Sequence, residues 1–301
     1  MSGRWRSSVR PTTRRRTRDS PRVTGDSTRH SLIITTYARP DALELVLASV
    51  LAQSILPGEV LVADDGSGAA TADVVERFVP LFGQGDVALH HVWHPDEGFR
   101  AAAIRNRALA TASGAYILLI DGDCVLHPDF VRSHLAFSRP HQFAQGTRVL
   151  LDQARTRRAL ANGDTRFGLF ERGIGNRLNA CSLGALSRFV PTPTDPLAGV
   201  RSCNMGFWRD DAIAVNGFDE RYVGWGREDS DFVARLMHAR VRRRKLKFGG
   251  IMYHLWHAER PRDALSANDA LLATTLDSGA IRAADGMDRY MPAHSADARV
   301  Q

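Results

Sequence analysis

The chain has 301 residues, enough for one large domain or a domain with an annex, and 44% hydrophobic with 24% charged residues describes a globular protein. Its net charge of +7 resides in residues 1–29, whose nine arginines and two aspartates account for the whole excess, so the rest is neutral and a chain-wide nucleic-acid surface is excluded. Cys124, Cys181 and Cys203 show no CxxC spacing, which excludes a disulfide framework and argues against a thiolate zinc site. No apolar run reaches membrane-spanning length and no apolar leader opens the chain, so a cytoplasmic protein is expected. The Arg-, Ser-, Thr- and Pro-rich segment 1–29 reads as a disordered basic tail. Such a tail could touch anionic lipid, at the inner face of a membrane, or nucleic acid without specificity, or be a plain solvated extension or a misassigned start; no specific nucleic acid is expected.

From Ser31 onward strands and helices alternate. SLIITTY (31–37) is an apolar, β-branched strand, and Pro40-Asp41 opens a helix with Leu43, Val46, Leu47, Val50 and Leu51 on one face. EVLVADD (59–65) is the second strand, and residues 71–82 the second helix with Thr71 as N-cap. VALHHVW (87–93) precedes a helix over 98–112. AYILLI (115–120) precedes a helix over 128–137 with Pro128 in its first turn. Near-continuous apolar strands between helices predict an α/β fold with three layers, α/β/α, around a mostly parallel sheet. Residues 152–200 lack clean periodicity and read as a mobile excursion. An amphipathic helix follows, carrying Phe232, Val233, Leu236 and Met237. KLKFGG and IMYHLWH (245–257) read as two short strands. Beyond about residue 275 a frayed, polar, Ala-rich end is expected.

In such sheets ligands bind beyond the carboxyl ends of the strands. Here those ends carry Thr35, Tyr37 and Arg39, then Asp64 and Asp65, then Asp96 and Arg100, then Asp121-Gly122-Asp123. Acids ending three successive strands converge on one edge, and a hard divalent cation with a bound phosphate would compensate them. A D-x-D pair alone is a weak signal, but His254 and His257 in Tyr-His-Leu-Trp-His add imidazoles that favour Mn2+ over Mg2+. Trp225-Gly226 offers an open indole face for a sugar ring, and Glu228 and Asp229 offer a general base. The plain alternative for these acids is a favourable interaction with the dipole of the helix they open. Together the parts describe a nucleotide-diphospho-sugar site in which one base and no covalent nucleophile would give inversion at the anomeric carbon.

Taken in order, SLIITTYARP, ADDGS, DEGFRAAAIRNRAL and IDGDC resemble the donor domain of GT-A glycosyltransferases of family 2, a Rossmann-like fold. The segment NGFDERYVGWGREDSDF followed by YHLWH resembles the C-terminal half of β-1,4-galactosyltransferases and chondroitin-type polymerases. The resemblance covers about residues 31–258 and divides a single domain, 30–275, into a donor half (30–140) and an acceptor half (141–275). It implies that Thr35, Tyr37, Arg39, Asp64 and Asp65 hold the base and ribose, that Asp96 and Arg100 lie near the base and diphosphate, and that Asp121 faces the nucleotide. It also implies Asp123, His254 and His257 as metal ligands, Asp229 as catalytic base with Glu228 beside it, and Trp225, Gly226 and Glu228 at the acceptor. The expected partners are a nucleotide-sugar donor, UDP-hexose or UDP-N-acetylhexosamine, and a glycan, lipid-linked or small-molecule hydroxyl acceptor. The rival readings are a sugar nucleotidyltransferase, which would carry a glycine- and basic-rich loop after its first strand, and a non-catalytic glycan-binding relative, which would be expected to lose Asp229 or the histidines.

Overall fold

The computed structural model describes residues 30–191, 195, 197–258 and 262–292. The expectations for the tail 1–29, for most of PTPTDP and for residues 293–301 lie outside the described residues. The first part of the chain runs β1 (His30–Thr36), α1 (Pro40–Leu51), β2 (Glu59–Asp64), α2 (Ala69–Gly83), β3 (Ala88–Trp93), α3 (Ala101–Thr111), β4 (Tyr116–Asp121), β5 (Cys124–Leu126) and α4 (Phe130–Phe137). There follow β6 (Gln142–Gly146), β7 (Val149–Leu151), α5 (Gln153–Asn162), β8 (Ile174–Gly175), β9 (Asn204–Trp208), α6 (Arg209–Ala214), α7 (Glu228–His238), β10 (Arg242–Leu246), β11 (Met252–His254) and α8 (Leu265–Ser278).

Among the described residues a seven-stranded sheet has the order β10-β6-β9-β4-β1-β2-β3, parallel except for β9. Alternate residues of one strand serve opposite faces. Leu32 and Ile34 of β1 join a core with α1 and α2, while Ile33 joins another with α3, α6 and α7. Burial on both faces is why these strands read as unbroken apolar runs. A smaller sheet, β5-β11-β7-β8, lies on the α1 side and returns the chain's second half to the end of β4.

Several boundaries differ from expectation for local reasons. The N-cap of α2 is Gly68, and Thr71 sits buried in the first turn with its N–H on the Gly68 carbonyl. The third helix starts at Ala101 because the Arg100 N–H is given to Asp65 and the Gly98 N–H to Asp96. The fourth starts at Phe130, leaving Pro128 in the preceding turn with its carbonyl bonded by Ser54 N–H. Of KLKFGG, strand β10 keeps only Lys245 and Leu246, and Gly250, at φ +55°, turns the chain into β11.

Two larger corrections concern order. The stretch 152–200 contains α5, capped by Asp152, whose carboxylate accepts the Arg155 N–H at 2.7 Å, and closed by Gly163 at φ +70°. Residues 276–292, expected to fray, are packed: Met287 is 1% exposed, the Ala283 N–H bonds the Val215 carbonyl, and Asn216 Nδ2 bonds the Ala283 carbonyl. These contacts are made by isolated side chains and backbone groups, so no apolar periodicity announced them.

Candidate active site

At the β1 and β2 ends, Tyr37 Oη donates to Asp96 Oδ2 at 2.9 Å. Asp65 is buried, with His94 Nε2 at 2.8 Å from one oxygen and the Arg100 N–H at 2.9 Å from the other. Burial pushes its carboxyl up, and those two bonds work against the shift. Gly66, at φ +94°, lies so close to Asp96 that a Cβ there would meet backbone at 2.5 Å, which ties the two strand ends together. Asp64 is 0% exposed, and its oxygens accept from the Ser67 N–H and face His91 Nε2, both at 2.9 Å, so in this arrangement it shapes the loop. The Arg100 side chain turns outward to Glu97 at 3.1 Å.

The Asp-Gly-Asp element follows β4. Gly122 has no left-handed backbone. Its N–H bonds the Thr35 carbonyl at 2.7 Å, and that close approach requires glycine because a Cβ would meet Thr36 at 2.8 Å. Asp123 then stands against β11: its carbonyl accepts the Leu255 N–H, and Cys124 pairs with His254. This pairing brings His254 Nε2 to 3.6 Å and His257 Nε2 to 3.4 Å from the Asp123 carboxylate. One ligand atom from each of Asp123, His254 and His257 lies within 4.8 Å of the others.

The donor chemistry of this group fits a divalent cation. Burial holds His254 below the ordinary histidine range against the pull of Asp123, which favours the neutral, ligating form. His257 Nδ1 donates to the Ala258 carbonyl at 2.8 Å, which orients the ring so that Nε2 points at Asp123. Arg39 Nη1 approaches the same Asp123 carboxylate at 3.3 Å.

A second group centres on Arg105, which sequence reasoning missed. Its guanidinium, 5% exposed, reaches Glu228 Oε1 at 3.0 Å, Asp121 Oδ1 at 3.5 Å and Thr35 Oγ1 at 3.2 Å, and it packs over Phe218 at 5.4 Å. Burial opposes its charge, but Glu228 and then Asp121 outweigh it. The available signal was a lone cation on the buried face of α3, one turn from Ala101 and in line with Ala108. One guanidinium cannot neutralise Asp121, Glu228 and Asp229 together. Burial, with Asp123 and Glu228 adding to it, pushes Asp121 up to about 6 despite Arg105. Burial and the Glu228 charge push Asp229 up to about 7, with the Ser230 and Ser202 backbone N–H groups holding it down in part. Trp225 is 40% exposed with the Arg262 guanidinium 5.1 Å from its ring centre. Gly226, at φ +106°, is anchored through its carbonyl by Asn268 of α8 at 2.8 Å.

The structure therefore brings together Asp123 with His254, His257 and Arg39, and Thr35 with Asp121 and Glu228. Tyr37 joins Asp96, and Asp65 joins Arg100 through the latter's backbone. Among the described residues no helix is long and apolar enough to cross a membrane.

A sequence model of Glycosyl transferase family 2 matches residues 31–190, more than half of the chain, and one described as N-terminal domain of galactosyltransferase matches 187–258. The chain is similar to a hyaluronan synthase of Pasteurella multocida, 28% identical over 68% of this chain and 22% of that protein. It is also similar to a chondroitin synthase of Escherichia coli, 26% identical over 74% of this chain and 34% of that one. It thus spans about a quarter to a third of the length of these relatives. The solved mannosyltransferase PcManGT of Pyrobaculum calidifontis, in complex with GDP-Man and Mn2+, superposes with a TM-score of 0.55 at 19% identity, over 86% of this chain and 66% of that one. This chain has the GT-A fold and belongs to Glycosyl transferase family 2.

Proposed function

We propose that this chain transfers a sugar from a nucleotide-diphospho-sugar to a hydroxyl acceptor with inversion, and that the donor is a UDP-hexose or UDP-N-acetylhexosamine. The observation that carries this reading is the meeting, at one sheet edge, of the Asp123-His254-His257 group with the Arg105-centred carboxylates. Thr35, Tyr37, Asp64, Asp65 and Asp96 would frame the nucleotide, the Arg100 backbone holding Asp65, with Arg39 and Asp121 toward ribose and diphosphate. Asp123, His254 and His257 would hold a divalent cation, with Mn2+ favoured over Mg2+ by the two imidazoles. Such an ion would supply Lewis-acid neutralisation of the leaving diphosphate.

The protein's own groups do the rest. Asp229, whose pKa of about 7 matches a base that must both take and release a proton, accepts the acceptor's hydroxyl proton. Glu228, held by Arg105 at 3.0 Å, orients that hydroxyl, and the exposed Trp225 face stacks on the acceptor ring. The acceptor is a glycan, a lipid-linked sugar or a small molecule. The basic segment 1–29 is the part suited to an anionic membrane surface.

A panel of UDP-, GDP- and TDP-sugars with Mn2+, read by nucleotide release, tests the proposal. One UDP-sugar should be hydrolysed slowly without acceptor and faster with it. Release from none of them would leave the chain a non-catalytic binder, and full activity in excess EDTA would refute the metal.

A further inference from the structure

The RRRKL run of β10 lies outside the chemistry above. Side-chain alternation places Arg243 and Lys245 on one face of that strand. There they line a cavity of about 360 Å³ together with Arg148, Arg201, Asn176 and Asn179. Four cations converge on this space, and among the described residues no aspartate or glutamate lines it. Asp195 approaches Arg243 electrostatically from outside the lining.

The cavity sits at the same sheet edge as the candidate active site. Strands β6 and β10 run parallel and end there, and antiparallel β9 begins there, with β4 on its other side. Arg201 adjoins Ser202, whose backbone N–H faces Asp229. The charge of Arg148 acts on both Asp121 and His254. An anion in this cavity is therefore a near neighbour of the candidate base and of the candidate metal ligands. Asn179 fixes the Arg148 loop by bonding its carbonyl at 2.9 Å.

Asp195 answers Arg243 in part, but Arg148, Arg201 and Lys245 crowd the same cavity with like charges, an arrangement that a bound anion would relieve. A neutral sugar would leave them uncompensated, and the volume suits one sugar-sized unit. We propose that this cavity is an acceptor subsite for an anionic sugar unit, its carboxylate or phosphate held by Arg148, Arg201, Arg243 and Lys245. The inference rests on the glycosyltransfer reading for the word acceptor, whereas the preference for an anion rests on the cavity alone.

Calorimetric titration of the full chain with D-glucose, D-glucuronate and D-glucose 6-phosphate, with and without saturating UDP and Mn2+, tests it. At least one anionic probe should bind about tenfold or more tighter than glucose, the scale of one added charge-assisted contact. That preference should persist with UDP present. The carboxylate and phosphate arms tell which anion the subsite takes. In the double variant Arg201→Gln, Lys245→Gln the preference should fall below about twofold while UDP affinity and thermal midpoint stay as in the parent. Arg201→Glu alone, at an exposed position, should weaken the same probe and serves should the double variant fail to fold. Equal affinity for all three probes, a preference that survives both variants, or displacement of the anion by UDP would overturn the proposal. Failure of UDP to bind at all would instead strike the donor reading and leave the probe titrations to decide the cavity.

Discussion

Two carboxylate groups stand at the same sheet edge and resolve their charge in opposite ways. Around Asp123 the partners are two imidazoles and the edge of Arg39, groups that can yield to a metal ion. Around Asp121, Glu228 and Asp229 the partner is one buried guanidinium that cannot leave and cannot satisfy all three acids. The first group suits exchangeable ligation and the second a fixed, under-neutralised field in which a carboxylate stays basic near neutral pH. The proposed transfer needs both: a place for the leaving diphosphate's charge and a base for the incoming hydroxyl.

The largest effect that could break this contrast is at Asp229. Asp229→Asn should lower transfer by a factor of about 10²–10⁴ while donor affinity, measured by calorimetry, is kept. Unchanged turnover would move the base elsewhere. Next comes the fixed cation: Arg105→Met should destabilise the fold by about 3–5 kcal/mol in denaturant melts, because it strands buried carboxylates. Adding Glu228→Gln should restore part of that loss, and a neutral effect of the single change would mean the group is solvated. On the exchangeable side, His257→Ala should weaken Mn2+ binding by about tenfold or more without a matching fall in stability.

The smallest effects are in pH dependence. Asp229 sits at about 7 when folded against an ordinary 3.8, so its ionisation costs stability. That cost is absent below about 3.8 and complete above about 7, so stability from this group is lost as pH rises through 7. Asp229→Asn should therefore melt higher than the parent above pH 7 and equally near pH 4. Turnover of the parent should rise through pH 7 as the base ionises, and Glu228→Gln, by removing the adjacent negative charge, should move that limb to lower pH.

How much of this was legible in the sequence follows the range of the interactions. Strands β1, β2 and β4 announced themselves as β-branched runs because each is buried on both faces. The acids at their ends were legible once the sheet was assumed parallel. His254 and His257 were legible by residue type, although the β5–β11 pairing that delivers them was not. Asp64 and Asp65 look alike in sequence, and only the fold shows that each is buried against its own histidine, His91 and His94. Arg105 stayed hidden because its partner Glu228 is 123 residues away and its role is a charge balance, which no local pattern encodes. Helix α5 could have been found from Asp152 and Gly163 as caps. Its arginines masked the apolar stripe, since Arg155 is buried through ion pairs to Asp164 and Glu171.

The most direct test of the central claim is calorimetric titration of Mn2+ into the UDP-saturated protein and into Asp123→Ala. One Mn2+ site is expected in the parent and none at the same concentrations in the variant, with the fold intact. Equal Mn2+ affinity in the two proteins would contradict it.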